Sequence, residues 1–247
     1  MKIIAILNHK GGTGKTTSSL NIGAGLAKIN KKVLLIDIDP QTNLSEGLGV
    51  RGAERSIYQS IKEGVDLPIL NITKNLDLVP ASVDLLGAEL ELVSQFGRET
   101  IIKKLLKPVK GNYDYIILDC PPAMGMLTVN AIVASDKLLI PLEAEFYSYT
   151  GIDKLVEIIH KVKENYNENL TIGGVFLTKY NAQRSLTEKI KTSIAGYFGD
   201  KLFDTAIRVN VSLSEAQLNG KSIFDYEPTS NGAKDYLDLV NEITAKI

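Results

Sequence analysis

Short runs of apolar residues alternate along the chain with longer segments in which apolar residues recur at helical spacing. The short runs are rich in Ile, Val and Leu and lack polar alternation, which is typical of strands covered by helices on both faces. They predict strands at residues 3–7, 33–36, 76–79, 115–118, 138–141 and 172–177. The longer segments predict helices near residues 15–29, 84–95, 98–107, 126–134, 151–165, 186–197 and 232–245.

The order of these elements predicts the fold class. A strand followed by a helix, repeated along the chain, indicates right-handed βαβ units and therefore an α/β fold. We expect a doubly wound, mostly parallel sheet with helices on both faces. The stretch 42–75 has the least regular pattern and is expected to decorate the surface. No Pro-, Gly- or Ser-rich linker divides the chain, so residues 1–247 are predicted to form a single domain.

The net charge and the cysteine count limit which binding partners and metal sites are possible. The formal net charge of the 247 residues is −1, so any attraction to DNA must come from a local basic patch. The one cysteine, Cys120, excludes an intrachain disulfide and a cysteine-rich metal site, and we expect it to be a small buried side chain. The first apolar run is too short for a signal peptide or a membrane span, so a cytoplasmic protein is predicted.

A glycine-rich segment between the first predicted strand and the first predicted helix carries the clearest chemistry. It consists of Lys10, Gly11, Gly12, Thr13, Gly14, Lys15, Thr16 and Thr17. Glycines allow a tight turn that presents successive backbone N–H groups to an anion, and the following helix adds its partial positive charge. The Lys15 ammonium suits the β- and γ-phosphates of a nucleotide, the Thr16 hydroxyl suits Mg²⁺, and Thr17 can reach the α-phosphate.

This segment departs from the standard phosphate-binding pattern, because His9 stands where that pattern requires glycine. A glycine-rich turn that precedes Lys-Thr without any phosphate role is the alternative interpretation. The position between a strand and a helix favours nucleotide binding, because phosphate loops occur in that context. The predicted cofactors are ATP and Mg²⁺.

Three aspartates stand at the ends of two predicted strands. Asp37 and Asp39 follow the second strand, and Asp119 follows the fourth. Ligands of open α/β sheets bind at the carboxyl ends of strands, so these carboxylates are expected near the phosphates. One of the first two would orient the attacking water, and the other would support the metal shell; solvated turn acids are the alternative. Asp119 is expected to bond the waters of Mg²⁺.

Four motifs together resemble the ParA/Soj family of plasmid and chromosome partition ATPases, P-loop NTPases of the deviant Walker A group. They read K-G-G-T-G-K-T-T, D-I-D-P-Q, D-C-P-P and L-S-E-A, and the resemblance extends over essentially the whole chain. It implies an ATPase that forms a homodimer with ATP between the subunits. Lys10 would then reach the partner's phosphates, Asp39 would position the hydrolytic water, and Asp37 would support the metal. Arg208 and Asn210 would border the adenine.

The resemblance also implies nonspecific DNA binding by the ATP-bound dimer and stimulation of hydrolysis by a ParB-like centromere-binding partner. The protein would then be associated with the nucleoid when ATP is bound. Two arginines that relatives carry near the L-S-E-A motif are absent, so other basic residues would have to contact DNA. An ordinary solvated surface is the alternative for each of them. The candidates are Lys179, Arg184, Lys189, Lys191, Lys201, Arg208 and Lys221.

A MinD-like membrane-associated ATPase is the main alternative function, and it would need an amphipathic, basic C-terminal helix. The polar face of the last predicted helix carries charges of both signs, so we expect this helix to pack on the core and expect no membrane partner. An iron-protein role would need two cysteines per subunit. Positioning of a cargo other than DNA stays open. The apolar face of that helix comprises Tyr236, Leu239, Val240, Ile243 and Ile247.

Overall fold

The structure is a computed structural model and describes residues 1–144, 152–181, 183 and 185–247. One sheet contains the strands β1 (Lys2–Ile6), β2 (Val33–Asp37), β3 (Leu70–Thr73), β4 (Leu76–Val79), β5 (Tyr115–Asp119), β6 (Lys137–Glu143), β7 (Thr171–Tyr180) and β8 (Leu202–Arg208). Their spatial order is β3-β4-β2-β5-β1-β6-β7-β8. All of these neighbours pair in parallel except β3 with β4. The predicted mostly parallel sheet is confirmed.

Helices cover both faces of this sheet. They are α1 (Lys15–Lys28), α2 (Asn43–Gly47), α3 (Ile57–Glu63), α4 (Leu85–Glu91), α5 (Ile101–Leu105), α6 (Met126–Ala134), α7 (Ile152–Asn165), α8 (Ser185–Phe198), α9 (Val211–Leu218), α10 (Ile223–Tyr226) and α11 (Asn231–Lys246). Alternate residues of β1 enter opposite cores, since Ile3 and Ala5 pack with α3 to α8 whereas Ile4 and Ile6 pack with α1, α2 and α9 to α11. The central strands are therefore buried on both faces, which explains their continuous apolar runs.

The prediction for the stretch 42–75 was wrong in part, because α2, α3 and β3 lie within it. Helix α2 has five residues, too few to show a helical period, and β3 is an exposed antiparallel edge strand. The other edge strand, β8, was also missed, since only Phe203 and Ile207 of its seven residues are buried. Helix α9 was missed as well. The predicted helix at 98–107 is shorter than expected, with a 3₁₀ turn at Arg98–Thr100 and then α5.

The C-terminal helix α11 packs on the core, as the sequence predicts. Its side chains Tyr236, Leu239, Val240 and Ile243 are all at most 1% exposed. These apolar groups are therefore used inside the fold and are not presented to a lipid surface. Within the described part of the chain, no helix combines the length and the apolar character that crossing a membrane requires.

The sheet order places three functional segments at one edge. β5 lies between β1 and β2, and Asp119 is aligned with Ile6 on one side and with Asp37 on the other. Because these strands are parallel, their carboxyl ends and the loops that follow them meet at the same edge of the sheet.

Candidate functional site

The predicted phosphate loop runs from the end of β1 to the start of α1. Gly12 and Gly14 adopt positive φ angles of 78° and 82°, which favour glycine over other residues. The Thr178 hydroxyl donates a 2.9 Å hydrogen bond to the backbone oxygen of Thr13 and ties the loop to β7. The loop leads directly into the N-terminus of α1, whose first N–H groups have no acceptor within the helix and are suited to binding an anion.

Lys15, the first residue of α1, is buried beneath this loop. Its ammonium donates a 3.2 Å hydrogen bond to the backbone oxygen of Lys10. Burial lowers the pKa of Lys15, and the charges of Asp119 and Asp39 oppose that shift. The loop thus surrounds the Lys15 ammonium, a positive charge suited to phosphate oxygens.

Asp119 connects β5 to the start of α1. Its Oδ2 accepts a 2.8 Å hydrogen bond from the Thr16 hydroxyl, and its Oδ1 accepts one of equal length from the Ser19 hydroxyl. The predicted proximity of Thr16 and Asp119 is therefore present. Ser19 was not predicted, although its spacing of one helical turn from Thr16 puts both hydroxyls on one side of α1.

Asp37 organises the loop that follows β2. Its Oδ2 accepts hydrogen bonds from the backbone N–H and hydroxyl of Ser45, at 2.9 and 2.7 Å, and its Oδ1 accepts one from the backbone N–H of Asp39 at 3.1 Å. The Ser45 hydroxyl oxygen also accepts a hydrogen bond from the backbone N–H of Ala81, after β4. Both carboxylate oxygens of Asp37 are thus engaged: Oδ1 holds the backbone of Asp39, and Oδ2 holds Ser45. Its assignment to the metal shell stays a prediction.

Asp39 lies at the wall of an open cavity of about 580 Å³. The cavity is also lined by Gly11, Gly12, Lys15 and Thr16, and by residues of α2 and α9. The Oδ1 atom of Asp39 accepts a 2.9 Å hydrogen bond from the backbone N–H of Gln41, which fixes the orientation of the carboxylate. In the described residues, no group of three or more His, Cys, Asp and Glu side chains is arranged to hold a metal ion by itself.

Two buried carboxylates, Asp37 and Asp119, lie at neighbouring strand ends, and their pKa values are raised. Burial raises the pKa of both Asp37 and Asp119, and the charge of Asp37 raises the pKa of Asp119 further. Hydrogen bonds from Ser45, and from Thr16 and Ser19, act in the opposite direction. Cys120 is fully buried beside them, and burial raises the pKa of its thiol, as expected for a packing residue.

A second cavity, of about 280 Å³, adjoins the phosphate loop at Gly14 and Thr17. Asn210 and Arg208 both line it. Their assignment to the adenine stays a prediction. Among the residues that the structure describes, the Oδ1 atom of Asn210 is buried and accepts no hydrogen bond. A buried amide oxygen without a donor is costly unless a ligand supplies one, so this cavity suits a ligand that carries a hydrogen-bond donor.

Two contacts that the sequence did not predict connect α1 to the C-terminal helices. The Thr17 hydroxyl donates a 3.1 Å hydrogen bond to Oε1 of Gln217 on α9, and the hydroxyls of Ser18 and Tyr236 are 3.0 Å apart. Gln217 also lines the larger cavity. Helix α1, which follows the candidate phosphate loop, is thereby connected to α9 and α11.

The predicted DNA contacts occupy different environments. The Arg208 guanidinium forms a two-pronged ion pair with Asp235 of α11, with N–O distances of 2.6–3.1 Å, so its charge is balanced within the fold. Lys191 lies over the ring of Tyr180, and Lys201 pairs with Asp200. Arg184 lies outside the described residues. The DNA assignments stay predictions for all the candidates. Those that are exposed in the described part of the chain are Lys179, Lys189, Lys201, Arg208 and Lys221.

Lys10 and Lys179 both reach the same carboxylate. The Nζ atom of Lys10 lies 2.9 Å from Oε2 of Glu143, and Nζ of Lys179 lies 2.5 Å from Oε1. The Lys10 side chain is therefore held within its own subunit in this structure. Lys179 was predicted as a DNA contact, but its ammonium lies beside the phosphate loop, near Gly12.

Known proteins share this arrangement over most of their length. A family described as an AAA domain matches residues 1–172. The sporulation initiation inhibitor protein Soj of Bacillus subtilis (strain 168) is 47% identical over 249 residues, which cover 99% of this chain and 98% of that protein. The chromosome partitioning protein ParA of Caulobacter vibrioides (strain NA1000 / CB15N) is 38% identical, covering 100% of this chain and 95% of that protein.

Solved structures of nucleotide-bound proteins have a similar fold. Cobyrinic acid a,c-diamide synthase from Mycobacterium smegmatis, with bound ATP analog and magnesium, gives a TM-score of 0.86 at 27% identity over 98% of this chain and 93% of that one. An ATP complex of McdA from Cyanothece gives 0.87 at 25% identity over 100% and 97%.

The sheet order, the loop and the carboxylates define a P-loop NTPase of the deviant Walker A type. Together with relatives of 38–47% identity over essentially the full length, they place the chain in one family. The chain belongs to the ParA/Soj family of partition ATPases.

Proposed function

We propose that the chain is a single-domain, Mg²⁺-dependent ATPase that acts in DNA partition. The observation that carries the proposal is the hydrogen bond between Thr16 and Asp119 beside the buried Lys15. Hydroxyl and carboxylate oxygens next to a phosphate loop suit Mg²⁺, which keeps several waters and takes its other ligands from substrate phosphates. The Asn210 oxygen, which accepts no hydrogen bond within the described part of the chain, adds an acceptor for the adenine amino group. The residues present therefore fit Mg²⁺ and ATP.

Hydrolysis would proceed by in-line attack of water on the γ-phosphate. Mg²⁺, when bound, neutralises charge on the phosphate oxygens. Lys15 stabilises the phosphates from beneath the loop, and Asp39 orients the attacking water through the carboxylate oxygen that Gln41 leaves available. The Asp37 carboxylate holds the backbone N–H of Asp39 in position, and the hydrogen bonds from Ser45 orient that carboxylate.

We further propose that ATP joins two copies of the chain, with Lys10 of each copy contacting the phosphates bound by the other. The dimer would bind duplex DNA without sequence preference and associate with the nucleoid. A ParB-like centromere-binding protein would stimulate hydrolysis and so return the chain to the monomer. The family membership supports these steps, and the position of Lys10 at the phosphate loop supports the first of them.

A gel-shift experiment tests the DNA step. Purified protein is mixed with duplex DNA of arbitrary sequence at low salt, with no nucleotide, with ADP, or with a slowly hydrolysed ATP analogue. We expect retardation of the DNA with the analogue only, and we expect it to weaken steeply as salt is raised, because phosphate contacts release counterions. Equal absence of binding in all three conditions would contradict DNA binding by this chain.

Replacing Asn210 with alanine is expected to weaken ATP binding by about five- to tenfold, because one hydrogen bond to the adenine is lost. Affinity for a nucleotide without the exocyclic amino group, such as ITP, should change by less than about twofold. Isothermal titration calorimetry with both nucleotides measures the difference. Asn219→Ala, which alters an exposed amide at the end of α9, serves as the control. If the affinities for ATP and ITP fell equally, Asn210 would not bind the amino group of the adenine.

A further inference from the structure

Glu143 is a buried carboxylate shared by two lysines at the rim of the phosphate loop. Its side chain is 7% exposed, and each carboxylate oxygen contacts one ammonium: Lys10 at 2.9 Å and Lys179 at 2.5 Å. The Lys10 side chain is 33% exposed and the Lys179 side chain 57% exposed. The proposed mechanism of hydrolysis uses neither Glu143 nor Lys179.

The backbone fixes these three residues relative to one another. Glu143 ends β6 and is aligned with Thr178 of β7, which precedes Lys179. Lys179 has a φ angle of 50°, an uncommon conformation for a residue with a side chain. The Asn8 side chain donates to the backbone oxygen of Pro141 at 2.7 Å and accepts from the backbone N–H of Lys10 at 3.0 Å. The start of the phosphate loop is thereby tied to the end of β6.

The backbone of Lys10 has a separate role from its side chain. Its carbonyl oxygen accepts the hydrogen bond from the Lys15 ammonium, so the loop conformation does not depend on where the Lys10 side chain points. The side chain can therefore leave Glu143 while the loop keeps its shape.

The charges explain why such a departure is feasible. Burial alone would raise the pKa of Glu143, but the hydrogen bonds and charges of Lys179 and Lys10 outweigh burial and hold the pKa below its ordinary value. A buried carboxylate that lost its one cation would be destabilised strongly. Here the second lysine still neutralises the carboxylate after the first has left.

We propose that Glu143 is a positioning residue that retains Lys10 on its own subunit, and that Lys179 is the counter-ion that allows Lys10 to be released. The inference rests on the proposed ATP sandwich dimer, in which Lys10 contacts the partner's phosphates. On dimerisation the Lys10 ammonium then leaves the Glu143 carboxylate and contacts a phosphate bound by the partner. This exchange sets how much ATP the chain needs before it dimerises.

Opposite shifts from two substitutions test the proposal. Sedimentation velocity at fixed protein concentration gives the concentration of a slowly hydrolysed ATP analogue at which half of the protein is dimeric. Glu143→Gln should lower this midpoint by about tenfold, because a charge-assisted hydrogen bond no longer opposes release. Lys179→Ala should raise the midpoint several-fold, because Glu143 then has to be left without this counter-ion. An unchanged midpoint in Glu143→Gln, or shifts of equal sign, would overturn the proposal.

A double-substitution experiment separates positioning from general structural effects. In a Lys10→Ala background, Glu143→Gln should no longer shift the midpoint, because no side chain remains to be released. A shift of the same size in that background would show that Glu143 acts by another route, which would refute the inference. Glu157→Gln, which removes an exposed carboxylate paired with Lys161 on α7, is the matched control and should leave the midpoint unchanged.

Further measurements separate assembly from nucleotide binding and from folding. Calorimetry at protein concentrations below dimerisation should give nucleotide affinities within about twofold of one another for the wild type and Glu143→Gln. Lys179 also lines the smaller cavity, so the midpoint of Lys179→Ala is corrected for any change in the nucleotide affinity measured in the same way. If Glu143→Gln does not fold, as judged by circular dichroism, Lys179→Ala decides the question alone: an unchanged or lower midpoint overturns the proposal. If the wild-type chain stays monomeric with the analogue, the proposed dimer and this inference are both overturned. If the chain dimerises but Glu143→Gln leaves the midpoint unchanged, only the inference is overturned.

Discussion

Replacing Asp39 with alanine is expected to reduce ATP hydrolysis by about 100-fold or more, while ATP binding changes by less than about threefold. Asp39 is 6% exposed, lines the cavity beside Gly11 and Gly12, and has one carboxylate oxygen held by the Gln41 backbone. Gln41 leaves its other oxygen available, and we propose that this oxygen orients the attacking water rather than binding the nucleotide. Phosphate release at saturating Mg²⁺ and ATP measures the rate, and calorimetry with a slowly hydrolysed analogue measures binding.

Two companion variants interpret that result. Asp200→Ala removes an acid whose side chain is 85% exposed and should leave both quantities unchanged. Asp39→Asn keeps the shape and the hydrogen bond to Gln41 but lacks the negative charge, so hydrolysis should remain low. If Asp39→Ala retained more than about a tenth of the wild-type rate, another group would have to orient the water. If it abolished binding as well, Asp39 would act mainly by shaping the loop.

The central strands were predictable because burial on both faces leaves a continuous apolar signal. β1, β2 and β5 each show it, and all five residues of β2 and of β5 are buried. β3 and β8 lie at the sheet edges, where exposed positions interrupt the signal. A five-residue helix such as α2 is held by Asp37 and Ser45 rather than by an amphipathic pattern, so no periodicity could have indicated it.

The position of the candidate phosphate loop was predictable because the spacing of its residues is local. Glycines, Lys15 and Thr16 act within one short segment, and a carboxylate at the end of a buried strand lies where open α/β sheets bind their ligands. Ser19, Gln217 and Glu143 act through contacts that span 100 or more positions of the chain, namely with Asp119, Thr17 and Lys10. One sequence contains no signal for such pairs, since each residue type is common on helices and at strand ends.

The missed residues share a physical role. Ser45 joins the loop after β2 to the residue after β4, Ser19 joins α1 to β5, and Glu143 joins β6 to the phosphate loop. Each contact connects the end of one strand to the segment that follows another strand, at the carboxyl edge of the sheet. These partners hold the motif residues in place, and sequence motifs do not reveal them.

Replacing Asp119 with asparagine is expected to have opposite effects on function and on stability. Affinity for Mg²⁺ in the presence of ATP should fall by about 10- to 100-fold, and hydrolysis at limiting Mg²⁺ should fall with it, because Thr16 and the metal waters lose their carboxylate. The free energy of unfolding of the nucleotide-free protein at pH 8 should rise by about 1–2 kcal/mol, because a fully buried charge is removed. Lys15 limits this gain, since it loses a nearby negative charge.

The pH dependence distinguishes the loss of a buried charge from a general change in packing. Burial and the charge of Asp37 raise the pKa of Asp119 above its ordinary value of about 4. The folded chain therefore binds a proton more tightly than the unfolded chain, so the stability that Asp119 contributes is greatest below about pH 4 and is lost as pH rises through the raised pKa. Asparagine does not titrate, so the stability advantage of Asp119→Asn should grow between pH 5 and pH 8.

Urea unfolding of both proteins across that range measures the difference in the free energy of unfolding, with Asp200→Asn as the exposed control. A variant less stable than the wild type at pH 8, or an advantage that does not change with pH, would show that the buried charge is not the dominant cost at this site.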